Sequence, residues 1–271
     1  VAEDARTVPP TGVFAGAKLI YSLDDGTTWH NQDGSSPVTW ESGDARTRAT
    51  MAFWRERDHA FSLISLLQMG RAYEANTDGY VYAYSPNGSR EGTMNELVMF
   101  RVATDRIPDR SAYEYFAGRD DTGAPAWSTR SQLPYAWMPS VTYNIALDLY
   151  LMTSWGMGGI ADGRWFGTPS YLGFWTAPHP WGPWTQVFET TDWTPGGDTE
   201  ARCYQPQIAP AWMSDDGTSL WLIWSDFQMD GTDDPFARMA GTATDPGEFM
   251  RLMWQSMPGY TMHLQRVDLE I

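Results

Sequence analysis

Lysine is almost missing from this chain: Lys18 stands alone beside seventeen arginines, against 34 aspartates and glutamates, for a net charge of −16 in 271 residues. A surface this acidic repels phosphate backbones, which argues against a nucleic-acid partner. Cysteine is reduced to Cys203, so no intrachain disulfide and no cysteine-based zinc site can form. The four histidines, His30, His59, His179 and His263, are far apart and form no H-E-x-x-H spacing. No apolar run approaches the ~18 residues of a membrane-crossing helix, so no membrane partner is expected. The first residue is Val1 rather than methionine, which reads as a mature or trimmed start and predicts an extracellular or periplasmic protein.

Aromatic residues, glycine and proline are abundant: 14% Phe, Trp and Tyr, with 25 glycines and 18 prolines spread along the chain. That distribution punctuates many short strands. Four β-type runs follow one another in P-S-V-T-Y-N (139–144), D-L-Y-L-M-T-S-W (148–155), Y-L-G-F-W-T-A (171–177) and W-G-P-W-T-Q-V-F-E (181–189). A four-stranded antiparallel meander of this kind is one blade of a β-propeller. The expected fold is all-β, a propeller of four-stranded antiparallel blades with five blades, in one domain over 12–271 behind a polar arm at 1–11. Further strands are expected at Gly12–Tyr21, Thr50–Trp54, Ala60–Met69 (as a buried innermost strand), Tyr80–Tyr84, Asn95–Ala103, Ala126–Ser128, Cys203–Pro210, Ser219–Trp224, Ala237–Thr244 and Tyr260–Ile271. Asp109 is expected to cap a short helical turn. The terminal strand is expected to close the ring beside the N-terminal one, removing an open edge.

Ser22 to Trp29 fits S-x-D-x-G-x-T-W, the Asp-box, a hairpin tip in which aspartate caps backbone N–H groups, Gly26 takes a positive φ and Trp29 packs beneath the blade. The motif is structural and says little about chemistry. The stretches D-G-Y-V-Y-A-Y-S-P (78–86), N-E-L-V-M-F-R-V (95–102), D-R-S-A-Y-E-Y-F-A-G (109–118), S-V-T-Y-N-x-x-L-x-x-Y-L-M (140–152) and W-G-P-W-T (181–185) resemble a bacterial β-propeller family, long known as a domain of unknown function, that includes endo-acting D-arabinofuranan hydrolases. The blade pattern is more broadly similar to five-bladed arabinanase and β-xylosidase-type glycoside hydrolases. The resemblance spans roughly 12–271 and implies a secreted hydrolase of an arabinofuranan-like polysaccharide. Only about twenty residues precede the Asp-box, where those hydrolases often place a catalytic aspartate, so no catalytic residue is carried over.

The residues themselves offer candidates. Glycoside hydrolysis uses two carboxyl groups across the scissile bond. Glu74 and Asp78, with Arg71 and Tyr73 close by, supply a carboxylate pair and a sugar clamp; the alternative is a solvated turn set by Asp78 and Gly79. Glu41 in the long loop 31–48 is a third carboxylate, with Trp40 as a stacking surface. Tyr143, Asn144, Trp155, Arg202, Tyr204 and Gln205 are expected to touch substrate. Asp24, Asp25, Asp215, Asp216 and the Asp233–Asp234 pair are oxygen-rich turns that offer ligands to a structural calcium, although none has EF-hand spacing. No other cofactor is required, and the chain reads as a monomer. Two other functions stay open: a polysaccharide lyase using a tyrosine or histidine base with arginine neutralising a uronate, and a glycan-binding propeller without catalysis.

Overall fold

The structure, a computed structural model, describes residues 15–56, 60–86, 97–127, 139–156, 170–199, 201, 203–226, 248, 251–252 and 261–271. The chain opens on short strands β1 (Gly16–Ala17), β2 (Ile20–Tyr21), β3 (His30–Asn31) and β4 (Phe53–Trp54). β1 pairs with β4 and β2 with β3. There follow β5 (Ser65–Leu66), β6 (Tyr80–Pro86), β7 (Leu97–Ala103), β8 (Glu114–Arg119) and β9 (Pro125–Trp127), hydrogen-bonded in that order into one sheet. β10 (Ser140–Asn144), β11 (Leu149–Gly156), β12 (Ser170–Ala177) and β13 (Thr185–Trp193) form a four-stranded antiparallel meander. β14 (Tyr204–Ile208), β15 (Ser219–Asp226) and β16 (Thr261–Asp268) form the last sheet. The 139–190 run is therefore the meander its punctuation implied, and the protein is all-β with antiparallel sheets.

Side-chain alternation stacks these sheets in chain order. Successive residues of a strand point to opposite faces. On β6, Tyr82 and Tyr84 enter a cluster with Met99, Met152, Tyr171 and Trp175, while Ala83 joins Phe53, Phe61 and Phe100 on the other face. On β11 and β12, Met152 and Trp175 face that first cluster; Leu151, Leu172 and Phe174 face a second one built with Ile208, Leu220, Leu222 and Trp224. β6, β7, β11 and β12 of the two middle sheets are thus buried on both faces.

Backbone pairing brings the segment after β5 against β10. The Gln68 N–H donates to the Val141 carbonyl and the Tyr143 N–H donates to the Gln68 carbonyl, both at 2.8 Å, in a parallel bridge of Gln68 with Thr142. The Ile208 N–H donates to Ser140 Oγ at 3.0 Å, setting β14 against β10. The registers then define two ends. Pro86 opposite Leu97, Ser140 opposite Thr153, Tyr204 opposite Ser225 and Asp226 opposite Thr261 lie towards one end. Gly70, the 144–148 turn between β10 and β11, and the 214–218 turn before β15 lie at the other.

Several expectations change. Of the described part of the Gly12–Tyr21 run, only 16–17 and 20–21 are strand, and they belong to different sheets. Within Thr50–Trp54 the strand is 53–54, and within Ala60–Met69 it is 65–66. Phe61 instead takes φ 59° in a turn, where its ring packs 4.9 Å from Phe53 and 5.4 Å from Phe100, so this apolar stretch is buried as a loop. The C-terminal strand does not pair with the N-terminal one among the described residues. It lies antiparallel along all of β15, from Ser219 opposite Asp268 to Asp226 opposite Thr261. The Ala237–Thr244 strand lies outside the described residues. The Asp109 cap is present, its side chain accepting from the Ser111 N–H at 2.9 Å ahead of the 3-10 turn Arg110–Ala112.

Candidate functional site

Three connections meet at the second end and enclose an open cleft of about 280 Å³. The first runs from Gly70 through the 3-10 turn Arg71–Tyr73. Gly70 has φ 76°, and a Cβ there would sit 2.8 Å from Ile145 Cδ1. The positive φ is one glycine adopts without strain, and it carries the loop against the β10–β11 turn. Ala72 and Tyr73 also take positive φ, 50° and 65°. Such conformations cost about 1–3 kcal/mol each outside glycine and concentrate at functional sites. They turn Arg71 and Glu74 to the cleft while the Tyr73 ring packs on the core.

The second wall is the β10–β11 turn. Asn144, fully buried, donates from Nδ2 to the Gly217 carbonyl at 2.9 Å and accepts from the Leu147 N–H at 3.2 Å. Tyr143 donates its hydroxyl to Asp148 Oδ1 at 2.6 Å. That bond, ahead of burial, raises the Tyr143 pKa.

The third wall is the 3-10 turn Pro210–Trp212 and the residues after it. Arg71 Nη2 donates to the Met213 carbonyl at 2.6 Å and lies 3.5 Å from Asp215 Oδ1, so one guanidinium ties the first wall to the third across 142 positions of sequence. The following turn is closed by Asp216, whose Oδ1 accepts from the Ser214 hydroxyl, the Thr218 N–H and the Thr218 hydroxyl, holding its pKa down at about 2.

The cleft therefore gathers Arg71, Glu74, Tyr143 and Asn144 from the sequence-derived candidates, and adds Ile145, Pro210, Met213 and Asp215. Two carboxylates, one guanidinium, a phenol and apolar wall atoms in an open groove suit a polyhydroxylated ligand better than a flat apolar one. Asp215 carried a signal only as part of an oxygen-rich turn. Its place in the same cleft as Glu74 goes with the Arg71 bridge, which no local pattern announces.

The other candidates lie elsewhere. Asp78 does not line the cleft; it accepts from the Tyr82 hydroxyl at 2.6 Å and from the Tyr80 N–H at 2.9 Å, shaping the start of β6. The Tyr73 hydroxyl is buried without a hydrogen-bond partner among the described residues, and burial, with Asp78 adding to it, pushes its pKa up to about 12. Glu41 accepts from Lys18 Nζ at 2.7 and 3.0 Å, and this pairing lowers its pKa. Trp155, Tyr204 and Gln205 belong to the opposite end. There the buried Trp155 ring meets Tyr204 edge-on at 4.9 Å, and Gln205 takes φ 50° at a register shift of β14. Buried Cys203 is beside them, its thiol raised to about 12 by burial. Asp226, also buried, has His263 Nε2 at 3.9 Å, and the His263 ring stacks on Trp224. Arg202 lies outside the described residues.

No three His, Cys, Asp or Glu side chains converge as a metal site among the described residues. Asp24 directs its oxygens to the Thr28 N–H and to the Ser22 and Thr28 hydroxyls, which closes the hairpin tip. Gly26 has φ 84°, as the Asp-box pattern requires. Trp29 departs from expectation: the residue is 46% exposed and its indole N–H folds back to donate to the Gly26 carbonyl at 3.1 Å, so the turn rather than the sheet holds it. Asp233 and Asp234 lie outside the described residues.

No family model and no curated protein matches this chain. Among solved structures it is similar to a GH62 hydrolase in complex with xylotriose (10% identity, TM-score 0.43, 76% of this chain and 55% of that one). It is also similar to a thermostable family-43 glycoside hydrolase (14%, 0.36, 72% and 53%). A third is an endo-1,4-beta-xylanase from Bacteroides thetaiotaomicron (12%, 0.36, 65% and 54%). The matched region spans little more than half the length of each of these chains.

Proposed function

We propose that this chain is a secreted glycoside hydrolase that cleaves an arabinofuranan-like polysaccharide, built as a five-bladed propeller. The observation that carries the reading is the cleft that sets Glu74 and Asp215 around Arg71 and Tyr143. Hydrolysis of a glycosidic bond needs one carboxyl to protonate the leaving oxygen and a second to act on the other face of the sugar. Glu74 is the acid in this reading. Asp215, 99% exposed at its side chain and beside the Arg71 guanidinium, is the second carboxylate in this reading. Asp78, Glu41 and the Trp155–Tyr204 end are not part of this pair.

The direction of the phenol shifts argues against Tyr73 and Tyr143 as the base of an elimination. A lyase base must give up its proton near neutral pH. Tyr73 is pushed up to about 12 and Tyr143 is raised, so both hold their protons more tightly than a free tyrosine.

The test is a panel of arabinan, arabinofuranan, xylan and a uronan, followed in parallel by new reducing ends and by unsaturated uronate. Reducing ends should appear on a neutral polymer, and Glu74→Gln should lower kcat by about 10²-fold or more, the scale of a lost general acid. Unsaturated product from the uronan would instead make the protein a lyase. Unchanged turnover in both Glu74→Gln and Asp215→Asn would remove the cleft from the chemistry.

A further inference from the structure

Trp212 closes the 3-10 turn that forms the third wall of the cleft, between Pro210 and Met213, which both line it. Large aromatic residues are normally covered, yet Trp212 is 48% exposed. No described residue packs a ring or a cation on it or accepts from its indole N–H. Its backbone, by contrast, is held from three sides. The Trp212 N–H donates to the Ala209 carbonyl at 3.0 Å, the Ala209 N–H donates to the Trp221 carbonyl of β15 at 3.0 Å, and Arg71 holds the next carbonyl, that of Met213, at 2.6 Å. Pro210 at the head of the turn restricts it further. An exposed indole on a fixed backbone is a preorganised surface, and preorganisation lowers the entropic cost of binding.

We infer that Trp212 is a stacking platform for a neutral sugar ring beside the cleft, and that Arg71 is the positioning residue that holds it there. The inference rests on the reading that the cleft takes a glycan. The C–H face of a sugar ring is apolar and slightly positive, which matches the negative face of indole, and the indole N–H remains available to a ring hydroxyl. The charge around it selects the same class. Arg71 is the cation of the cleft lining and already faces Met213 and Asp215, and the lining holds two carboxyl groups to that one guanidinium, which suits a neutral ring better than a polyuronate.

The experiment titrates short linear arabino- and xylo-oligosaccharides calorimetrically into the wild type, Trp212→Ala, Trp212→Phe, Arg71→Met and the Trp212→Ala/Arg71→Met double variant, each first checked for native circular dichroism. Steady-state kinetics is run beside it. Trp212→Ala should weaken binding about 10-fold, equivalent to about 1.4 kcal/mol, and raise KM with kcat held. Trp212→Phe should keep affinity within about 3-fold, because it keeps a π-face. Arg71→Met should also weaken binding, and the double variant should be little worse than Trp212→Ala, the non-additivity expected when one residue acts through the other. If Trp212→Ala binds as the wild type does while Glu74→Gln abolishes turnover, the platform is wrong and the hydrolase stands. If Trp212→Ala loses binding but the wild type cleaves nothing, the hydrolase is wrong and the platform stands. Absence of binding by the wild type to every oligosaccharide overturns both.

Discussion

Asp24 accepts from the Thr28 N–H, the Thr28 hydroxyl and the Ser22 hydroxyl, and these bonds hold its carboxyl down at about 2 from 3.8. Asp216 repeats the device with Ser214 and Thr218, also at about 2. Because the folded pKa is depressed, the contribution of each turn is complete above the unfolded value and disappears as pH falls through the folded one. Both hairpin tips should therefore persist at pH 4 and loosen between about pH 3 and about pH 2. Carboxyl carbon shifts in NMR read this directly, and a midpoint close to that of a free aspartate at either position would refute it. These two residues were legible in the sequence as turn aspartates because Asx turns are local. Glu74 and Arg71 were legible as chemically suited groups. Their partner Asp215 was not, since its role depends on a contact 144 positions away.

The β10–β11 hairpin is joined to the next sheet by one side chain. Asn144 is fully buried and bridges its own turn, through Leu147, to the Gly217 carbonyl. Gly217, at φ 71°, leaves no room for a side chain against Asn144. Asn144→Ala should leave a buried carbonyl unsatisfied and destabilise the protein by about 1–3 kcal/mol. Urea unfolding measures this, and a change below about 0.5 kcal/mol, the usual range of surface substitutions, would show that the bridge carries no weight. The expectation that Asn144 touches substrate through its amide weakens accordingly, because both ends of that amide are engaged within the protein. At this scale the strands of the 139–190 meander were readable because each runs five to nine residues with clear breakers. The N-terminal strands were not. They pair over only two residues each, too few for a period of two to stand out.

The molecule holds together as sheets stacked in chain order, with three apolar clusters between them. β11 and β12 feed two of these clusters, so large-to-small changes on either face act on one shared framework. Met152→Ala in the first cluster and Phe174→Ala in the second should each cost about 2–5 kcal/mol. Both should shift a single unfolding transition, because the described sheets have no apolar layer of their own to unfold separately. A denaturation curve that splits into two steps in either variant would contradict that. The all-β class, the antiparallel meander and the turn aspartates follow from the sequence, because strand alternation, breaker residues and side-chain-to-backbone turns act over a few positions. Tertiary structure alone decided three things: that the apolar run 60–69 is mostly loop, that the terminal strand lies along β15, and that Arg71 and Glu74 share a cleft with Asp215. Each depends on groups brought together over long sequence separations, where packing and backbone pairing across sheets outweigh local preference.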